Sequence, residues 1–268
     1  MIEKTIHYCW FGNNPKNELI NKCIESWKKY CPDYKIIEWN EENFDVNLCE
    51  YTKQAYNLKK WAFVSDVARL WIVYNNGGIY LDTDVELHKS LDDLLDYSVW
   101  LASDDIRYVA TGLGFGAEPK NKLIKKILED YYDREFSLVP CIVLNTEVIV
   151  NNLSEFKKTD KTQVIDNMLF IRMSDYWKYA SHHYDFSWGT EEERKRKKEN
   201  QKNIKLWKWK LQCKLRNSRM INYAEKNKDK FIIKVYIFIA YDLMENGICY
   251  YIKRWTKKYI IKGINRKK

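Results

Sequence analysis

Hydrophobic and polar residues alternate along the first 150 positions in a way that predicts short strands separated by helices. Leu19, Cys23, Ile24 and Trp27 recur at helical spacing and predict a helix over Glu18–Tyr30. Further helices are predicted at Leu58–Tyr74, Asn121–Tyr132 and Val143–Leu153, and strands at Lys4–Phe11, Tyr34–Trp39, Ile79–Leu81, Ser98–Ala102 and Leu113–Ala117. Because strands and helices take turns, we expect an α/β fold with a largely parallel sheet.

The composition of the chain narrows the class of protein. The 268 residues are 46% hydrophobic and include only 9 Gly and 4 Pro, which excludes collagen-like, low-complexity and globally disordered proteins. Seven Cys occur without any C-x-x-C pair, which argues against a disulfide framework or a zinc ribbon. Buried reduced thiols, as in a cytosolic protein, are the expectation.

The charge of the chain is divided unequally and predicts a domain boundary. The formal net charge is +9, yet residues 194–268 carry 24 Lys and Arg against 5 Asp and Glu. Residues 1–193 therefore carry a net charge of −10. A polar stretch follows Glu191, so we predict a catalytic domain over residues 1–190 and a helical, basic, aromatic-rich extension over residues 191–268.

The basic extension has two interpretations. Ile204, Trp207, Leu211 and Leu215 lie near helical spacing with lysines between them, which suits a basic amphipathic helix on an anionic membrane surface. The alternative is an ordinary packed helix whose lysines face water. A nucleic-acid partner is not expected, because no zinc-finger spacing or RNA-recognition signature accompanies the charge.

The expected location follows from the apolar runs. None approaches the roughly 18–20 residues that a spanning helix requires, and the residues after Met1 lead directly into a strand-like segment without a secretory signal. The expectation is a cytoplasmic protein, with peripheral attachment to the inner face of the plasma membrane as the further hypothesis.

Two carboxylates after a buried strand are the first candidates for chemistry. Asp82 and Asp84 follow the apolar segment Ile79–Leu81, and ligands of open α/β sheets bind at the carboxyl ends of strands. A turn after Leu81 would aim both side chains into one crevice. Carboxylate oxygens suit Mg²⁺ or Mn²⁺, which keeps open positions for phosphate oxygens.

A second candidate set lies on the preceding helix. Ala62, Ser65, Asp66 and Arg69 are spaced so that they share one face of an otherwise apolar helix. The simple interpretation is an Asp66–Arg69 ion pair within the helix. The functional interpretation is that Asp66 accepts sugar hydroxyls while Arg69 donates to a phosphate.

Three segments together resemble a known family. They are Ile6-His7-Tyr8-Cys9-Trp10-Phe11-Gly12, Ala62-x-x-Ser65-Asp66-x-x-Arg69 and Gly77-Gly78-Ile79-Tyr80-Leu81-Asp82-Thr83-Asp84, and the motif His182-His183-Tyr184-x-x-Ser187-Trp188 follows. They resemble the DXD-containing sugar-binding region of glycosyltransferase family 32, which includes bacterial capsular and lipopolysaccharide enzymes and yeast mannosyltransferases, with clostridial glucosylating toxins as distant relatives. The resemblance is strongest from Thr5 to Glu86.

The resemblance implies a GT-A fold and a metal-dependent transfer that retains anomeric configuration. It implies a nucleotide-sugar donor, with a UDP-sugar favoured over GDP-mannose, and an acceptor that is a saccharide or lipid-linked saccharide of a surface polysaccharide or glycolipid. The metal, Mn²⁺ or Mg²⁺, would be held by Asp84, with Asp82 and His182 as further ligands. Donor-binding residues would be Tyr8, Trp10, Ser65, Asp66, Arg69, Asp82, Ser187 and Trp188; the residues expected to carry catalysis are Asp66, Arg69, Asp82 and Asp84.

Some positions depart from the family, and some questions stay open. Relatives often carry a Gly-Pro element where this chain has Leu144-Asn145-Thr146-Glu147, which bears on acceptor contacts. An Asn often precedes the strand at Leu113–Ala117, whereas Ala110-Thr111-Gly112 stands here and bears on the identity of the sugar. Whether His182, His183 or Ser187 completes the metal site is left open.

Two other classes of protein compete with a glycosyltransferase. A haloacid-dehalogenase phosphohydrolase also ends a strand with D-x-D, but Glu86 occupies the position where that signature has Thr or Val, and the motif normally opens the domain. A basic, non-enzymatic module that binds membrane or nucleic acid would leave the four charged residues of the candidate site without a purpose.

Overall fold

A computed structural model describes residues 1–104, 108–159 and 161–185, together with Lys195 and Glu199. The strands are β1 (Thr5–Cys9), β2 (Lys35–Trp39), β3 (Gly78–Tyr80), β4 (Val85–Leu87), β5 (Val99–Ala102), β6 (Phe115–Ala117), β7 (Gln163–Ile165), β8 (Met168–Ile171) and β9 (Ala180–His182). The helices are α1 (Glu18–Tyr30), α2 (Glu50–Asn57), α3 (Trp61–Asn76), α4 (Lys122–Tyr132), α5 (Cys141–Asn152) and α6 (Met173–Tyr176).

Seven of the described strands form one mixed sheet in the order β2-β1-β3-β6-β5-β8-β7. The pairs β1–β2, β1–β3 and β5–β8 are parallel, whereas β6 and β7 run antiparallel to their neighbours. A separate antiparallel pair joins β4 to β9. The predicted α/β class is confirmed; of the six strand pairs in this sheet, three are parallel and three are antiparallel.

Both faces of the large sheet are buried, and β5 shows how one strand serves two cores. Val99 and Leu101 belong to the core beneath α2, α3, α4 and α5, whereas Trp100 and Ala102 belong to the core on the opposite face. Successive side chains of a strand point to opposite faces, so a strand covered on both sides reads as a continuous apolar run. This explains why Val99–Ala102 contains no polar residue.

The helices nearest the candidate site begin and end at clear signals. Asn17 caps α1, because its Oδ1 accepts from the Ile20 amide at 2.9 Å. Helix α3 is mainly apolar, and it ends where Gly77 adopts φ +70°, a conformation that favours glycine. That ending directs the chain into β3 and hence towards Asp82.

Several predicted boundaries were wrong. The helix predicted at Leu58–Tyr74 begins only at Trp61, because the chain reverses after α2 with Lys59 at φ +55°. The strand predicted at Leu113–Ala117 starts at Phe115, since Gly114 has φ +148°. Helices α2 and α6 and strands β4, β7, β8 and β9 were not predicted, because they are short and have no long periodic pattern.

The described chain up to residue 185 lies within one compact unit, which ends at Trp188. The predicted boundary at residues 190 and 191 stays a prediction, and the basic extension lies outside the described residues apart from Lys195 and Glu199. None of the helices in the described part of the chain is long and apolar enough to cross a membrane.

Candidate functional site

The turn after β3 brings Asp82 and Asp84 to the carboxyl end of the sheet. Residues of β3 and Leu81 are fully buried, so the apolar segment anchors the turn in the core. The Val85 amide donates to the Asp82 carbonyl at 3.0 Å, which closes the turn between the two carboxylates. The predicted turn after Leu81 is therefore present.

The β4–β9 pair adds an imidazole to the two carboxylates. His182 lies opposite Val85 in the register of the two strands. Its Nε2 is 3.2 Å from Asp84 Oδ1 and 4.0 Å from Asp82 Oδ2. One ligand atom from each of the three residues lies within 4.8 Å of the others. Two carboxylate oxygens and one imidazole nitrogen fit Mn²⁺ or Mg²⁺, with positions left for a ligand.

The electrostatics of this triad favour a positive charge between the carboxylates. Burial raises the pKa of Asp84. Burial would also raise the pKa of Asp82, but Arg69, His182 and Tyr80 together outweigh burial, and the pKa of Asp82 is lowered. Burial opposes a charge on His182, yet Asp82 and Asp84 together raise its pKa. The triad is thus suited to attract a cation.

Arg69 ties the helix set to the turn. Its Nη2 lies 2.9 Å from Asp66 Oδ1 and 3.4 Å from Asp82 Oδ1, and its Nε donates to the Ser65 carbonyl at 3.0 Å. The side chains of Asp66 and Arg69 are only 8% and 4% exposed. The predicted ion pair between Asp66 and Arg69 within the helix is present and buried. Arg69 also contacts Asp82, so the charged cluster includes a third residue outside the helix.

The two oxygens of Asp82 have different surroundings. Oδ1 accepts from the Tyr80 hydroxyl at 3.0 Å and faces Arg69, whereas Oδ2 faces His182. The Arg69 guanidinium also lies 4.9 Å from the centre of the Tyr80 ring. Oδ1 therefore fixes the carboxylate, and Oδ2 is the oxygen offered to a metal.

The connection between β5 and β6 lies against this carboxylate. The Asp82 amide donates to the Gly112 carbonyl at 3.3 Å. A Cβ at Gly112 would lie 2.3 Å from Asp82 Oδ2 and 3.1 Å from Arg69 Nη1. Thr111, which is fully buried, accepts from Arg69 Nη1 at 3.4 Å. From the sequence, this segment was only a departure from the family that bears on the identity of the sugar, and its contacts with Asp82 and Arg69 were not predicted.

Residues after β9 hold Asp84 from the other side. The Asp185 amide donates to Asp84 Oδ2 at 2.8 Å, and Asn17 Nδ2 donates to Asp185 Oδ2 at 2.9 Å. His183 does not join the triad, because its Nε2 lies 2.8 Å from Glu86 Oε2 instead. Of the two adjacent histidines, His182 is the one that faces the carboxylates.

The predicted donor-binding residues Tyr8 and Trp10 lie at the carboxyl end of β1. Trp10 lines a cleft of about 680 Å³. Tyr8 is 7% exposed, its ring contacts Trp27 edge-on at 5.6 Å between centroids, and its hydroxyl donates to Glu38 at 2.5 Å. Trp10 is thus placed for contact with a ligand, whereas Tyr8 supports Glu38 from the core.

The remaining predicted residues are placed as follows. Ser65 is partly buried, and its hydroxyl donates to the Trp61 carbonyl at 3.1 Å. Trp61 also lines the cleft that contains Trp10, so α3 reaches from the cleft to Arg69. Eight residues of helix correspond to a rise of about 12 Å. Ser187 and Trp188 lie outside the described residues.

Part of this chain matches a known family, and the matched segment includes four residues of the site described above. Residues 17–101 match the family described as the glycosyltransferase sugar-binding region containing DXD motif. The predicted resemblance is thereby confirmed for a segment that includes Asp66, Arg69, Asp82 and Asp84. His182 and Thr111 lie beyond the matched segment.

Two yeast proteins are among the similar sequences. Inositol phosphoceramide mannosyltransferase 3 of Schizosaccharomyces pombe is 33% identical over 111 residues, which are 37% of this chain and 29% of that protein. Mannosyl phosphorylinositol ceramide synthase SUR1 of Saccharomyces cerevisiae is 27% identical over 199 residues, which are 64% of this chain and 50% of that protein. The chain thus spans half or less of the length of these relatives.

Two solved structures are also similar. The PaToxG glycosyltransferase aligns at 19% identity and a TM-score of 0.48, over 57% of this chain and 70% of that one. A glycosyltransferase involved in the glycosylation of the major capsid of PBCV-1 aligns at 13% identity and a TM-score of 0.41, over 72% and 98%. Since both TM-scores are below 0.5, the α/β fold rests on the strand order described above.

Proposed function

We propose that this protein is a metal-dependent glycosyltransferase that moves a hexosyl group from a nucleotide sugar to an acceptor hydroxyl. The observation that carries the proposal is the convergence of Asp82, Asp84 and His182 beside the buried Arg69. A cation site next to a fixed guanidinium suits a diphosphate, whose charge both can oppose. The match of residues 17–101 to a DXD sugar-binding region supports the same function.

Each side chain has a proposed task in that reaction. Asp84, Asp82 Oδ2 and His182 would hold Mn²⁺ or Mg²⁺, and the ion would neutralise the charge that develops on the leaving diphosphate. Arg69 orients the diphosphate end of the donor and balances Asp82. Asp66 accepts hydroxyls of the transferred sugar, and Trp10 contacts the base. The acceptor hydroxyl attacks on the face from which the diphosphate leaves, so the anomeric configuration is retained.

The donor proposed for the first test is GDP-mannose. The family resemblance implied a UDP-sugar, but one relative quoted above is named as a mannosyltransferase and the other as a mannosyl phosphorylinositol ceramide synthase. For the acceptor we propose a saccharide or a lipid-linked saccharide; the relative named inositol phosphoceramide mannosyltransferase 3 supports the lipid-linked class, since its name specifies a lipid with a polyol head group. UDP-glucose and UDP-galactose serve as comparison donors in every assay.

The test is transfer to a panel of glycoside and glycolipid acceptors, with each donor in Mn²⁺, in Mg²⁺ and in EDTA. Asp84→Asn should lower turnover by about a hundredfold or more, because one metal ligand is lost. Asp133→Asn, which changes an exposed carboxylate at the end of α4, is the matched control. Full activity in EDTA would refute the proposed metal dependence. Release of phosphate from phosphate esters without sugar transfer would favour the alternative function, a haloacid-dehalogenase phosphohydrolase. The anomer of the product, read by NMR, decides retention.

For the basic extension we propose attachment to the cytoplasmic face of an anionic membrane. Residues 194–268 carry a net charge of +19, and each Lys or Arg near such a surface contributes ~1 kcal/mol. Co-sedimentation of the full chain with phosphatidylserine vesicles should occur at low salt and disappear at high salt. Absence of binding at low salt leaves the extension as a part that packs on the catalytic domain.

A further inference from the structure

A chain of buried side-chain hydrogen bonds stands behind Arg69 and has no task in the function proposed above. The Tyr131 hydroxyl donates to Asn145 Oδ1 at 3.2 Å, and Asn145 Nδ2 donates to Thr111 Oγ1 at 3.1 Å. Arg69 Nη1 donates to the same Thr111 oxygen at 3.4 Å. Tyr131, Asn145 and Thr111 are fully buried, and Arg69 is 3% exposed. The chain joins α4 and α5 to the guanidinium.

The contacts of Arg69 fix the plane of its guanidinium through all three nitrogens. Nε donates to the Ser65 carbonyl, and Nη2 lies against the carboxylates of Asp66 and Asp82. The third nitrogen, Nη1, donates to Thr111. Loss of that hydrogen bond lowers the barrier to rotation about the Nε–Cζ bond, because only the contacts of Nη2 then oppose exchange of the two Nη groups. A buried network in which every member is paired resists such movement, because leaving one member unpaired is costly.

Helix α5 also holds the backbone on which Thr111 stands. Thr146 Oγ1 accepts from the Val109 amide at 2.8 Å and donates to the Ile142 carbonyl at 2.6 Å. Asn145 and Thr146 are both fully buried, so neither can contact an acceptor directly. They belong to the segment in which many relatives have a Gly-Pro element, and the structure gives this segment a different task.

We propose that Thr111 and Asn145 are positioning residues, which fix the Arg69 guanidinium between Asp66 and Asp82. The inference deepens the proposed function, since Arg69 is there the group that orients the donor. Thr111 acts directly on Arg69, and Asn145 holds the Thr111 oxygen in place. Neither residue touches the reacting atoms.

The first test observes Arg69 itself in the full chain without nucleotide. In protein labelled with ¹⁵N-arginine, and with the signals assigned through Arg69→Lys, the two Nη groups should give separate resonances. Thr111→Val, which has nearly the same shape but no hydroxyl, should merge them. Thr111→Ser, which restores the hydroxyl, should separate them again. Tyr51→Phe is the matched control, because the buried Tyr51 hydroxyl has no hydrogen-bond partner within the described chain.

The second test measures binding of GDP, and separately of UDP, in the presence of MnCl₂. For the nucleotide that binds, Thr111→Val and Asn145→Leu should each weaken affinity about tenfold, whereas Thr111→Ser and Tyr51→Phe should keep the wild-type affinity. In transfer assays at a temperature where each variant is folded, the KM for the donor should rise. Thermal stability should also fall relative to Tyr51→Phe, because Thr111→Val and Asn145→Leu each leave buried groups unpaired.

The outcomes separate this inference from the proposed function. Separate Nη signals that persist in a folded Thr111→Val protein overturn the inference, as does transfer with an unchanged donor KM. Merged signals in Thr111→Val that are restored in Thr111→Ser support it. If these signals behave as expected while neither nucleotide binds, the positioning role stands and the proposed donor fails.

Discussion

The substitution Gly112→Ala should displace a metal ligand while leaving the backbone conformation unstrained. The added Cβ would lie 2.3 Å from Asp82 Oδ2, and separations under 3.0 Å essentially never occur for real Cβ atoms. The carboxylate would therefore move by at least about 0.7 Å. It cannot move freely, because Tyr80 and Arg69 hold its other oxygen at 3.0 and 3.4 Å.

The size of the effect follows from that displacement. A misplacement of about 1 Å at a reacting centre can cost a hundredfold in rate, which corresponds to about 2.7 kcal/mol of transition-state stabilisation. We therefore expect turnover in Gly112→Ala to fall about a hundredfold and Mn²⁺ to bind more weakly by calorimetry. Thermal stability should fall by no more than the roughly 1–3 kcal/mol typical of an overpacked site.

The control for this experiment is Gly114→Ala in the same connection. There the new Cβ would lie 2.2 Å from the Tyr176 hydroxyl, and the φ of +148° makes any side chain strained. Stability should therefore fall more in this variant, while Mn²⁺ affinity of the folded protein is kept. Wild-type Mn²⁺ affinity and turnover in a folded Gly112→Ala protein would refute the reasoning that Gly112 makes room for Asp82.

Three further predictions concern buried polar groups. Arg69→Met should lower the free energy of unfolding by about 3–5 kcal/mol, because it leaves Asp66 buried without its partner; an unchanged denaturant midpoint contradicts this. Burial lowers the pKa of His7 from 6.5 to about 4, so the unfolded chain binds a proton between these values while the folded chain does not. The free energy of unfolding should therefore fall by about 3 kcal/mol as the pH drops from 6.5 to 4. Urea titrations at several pH values measure this, and an equal fall in a His7→Gln chain would count against it. Tyr80→Phe removes one hydrogen bond to Asp82 and should lower turnover about tenfold. Turnover equal to that of the wild-type protein would contradict this.

Helices with long periodic patterns could be predicted, and so could short strands that are mainly apolar. Glu18–Tyr30 matches α1 at both ends, because Asn17 and Cys31 give clear local signals. Helix α2 was missed because its eight residues show little apolar periodicity. Strand β9 was missed because Ala180–His182 is not an apolar run, unlike the equally short β3, and only pairing with β4 defines it.

The candidate site could be predicted as far as it depends on charged residues in motifs. Asp66, Arg69, Asp82, Asp84 and His182 were all selected from the sequence, and the structure brings them together. Thr111, Gly112 and Asn145 were not, because their roles depend on contacts between distant segments. The sequence held one indication for Asn145. It is a polar residue on the face of α5 that also carries the buried Leu144 and Val148.

The β4–β9 pair has a consequence for how the chain tolerates insertions and deletions between residues 88 and 179. Adjacent residues of a strand face opposite sides, so one imidazole faces the carboxylates while His183 faces Glu86. A slip of β9 by two residues would keep the same faces but bring Ala180 or Tyr184 towards the carboxylates. A slip by one residue would bring His183 to the carboxylates. Because two histidines are adjacent, a one-residue shift in the β4–β9 register would still leave an imidazole beside the carboxylates. The contact between His183 and Glu86 would then be lost.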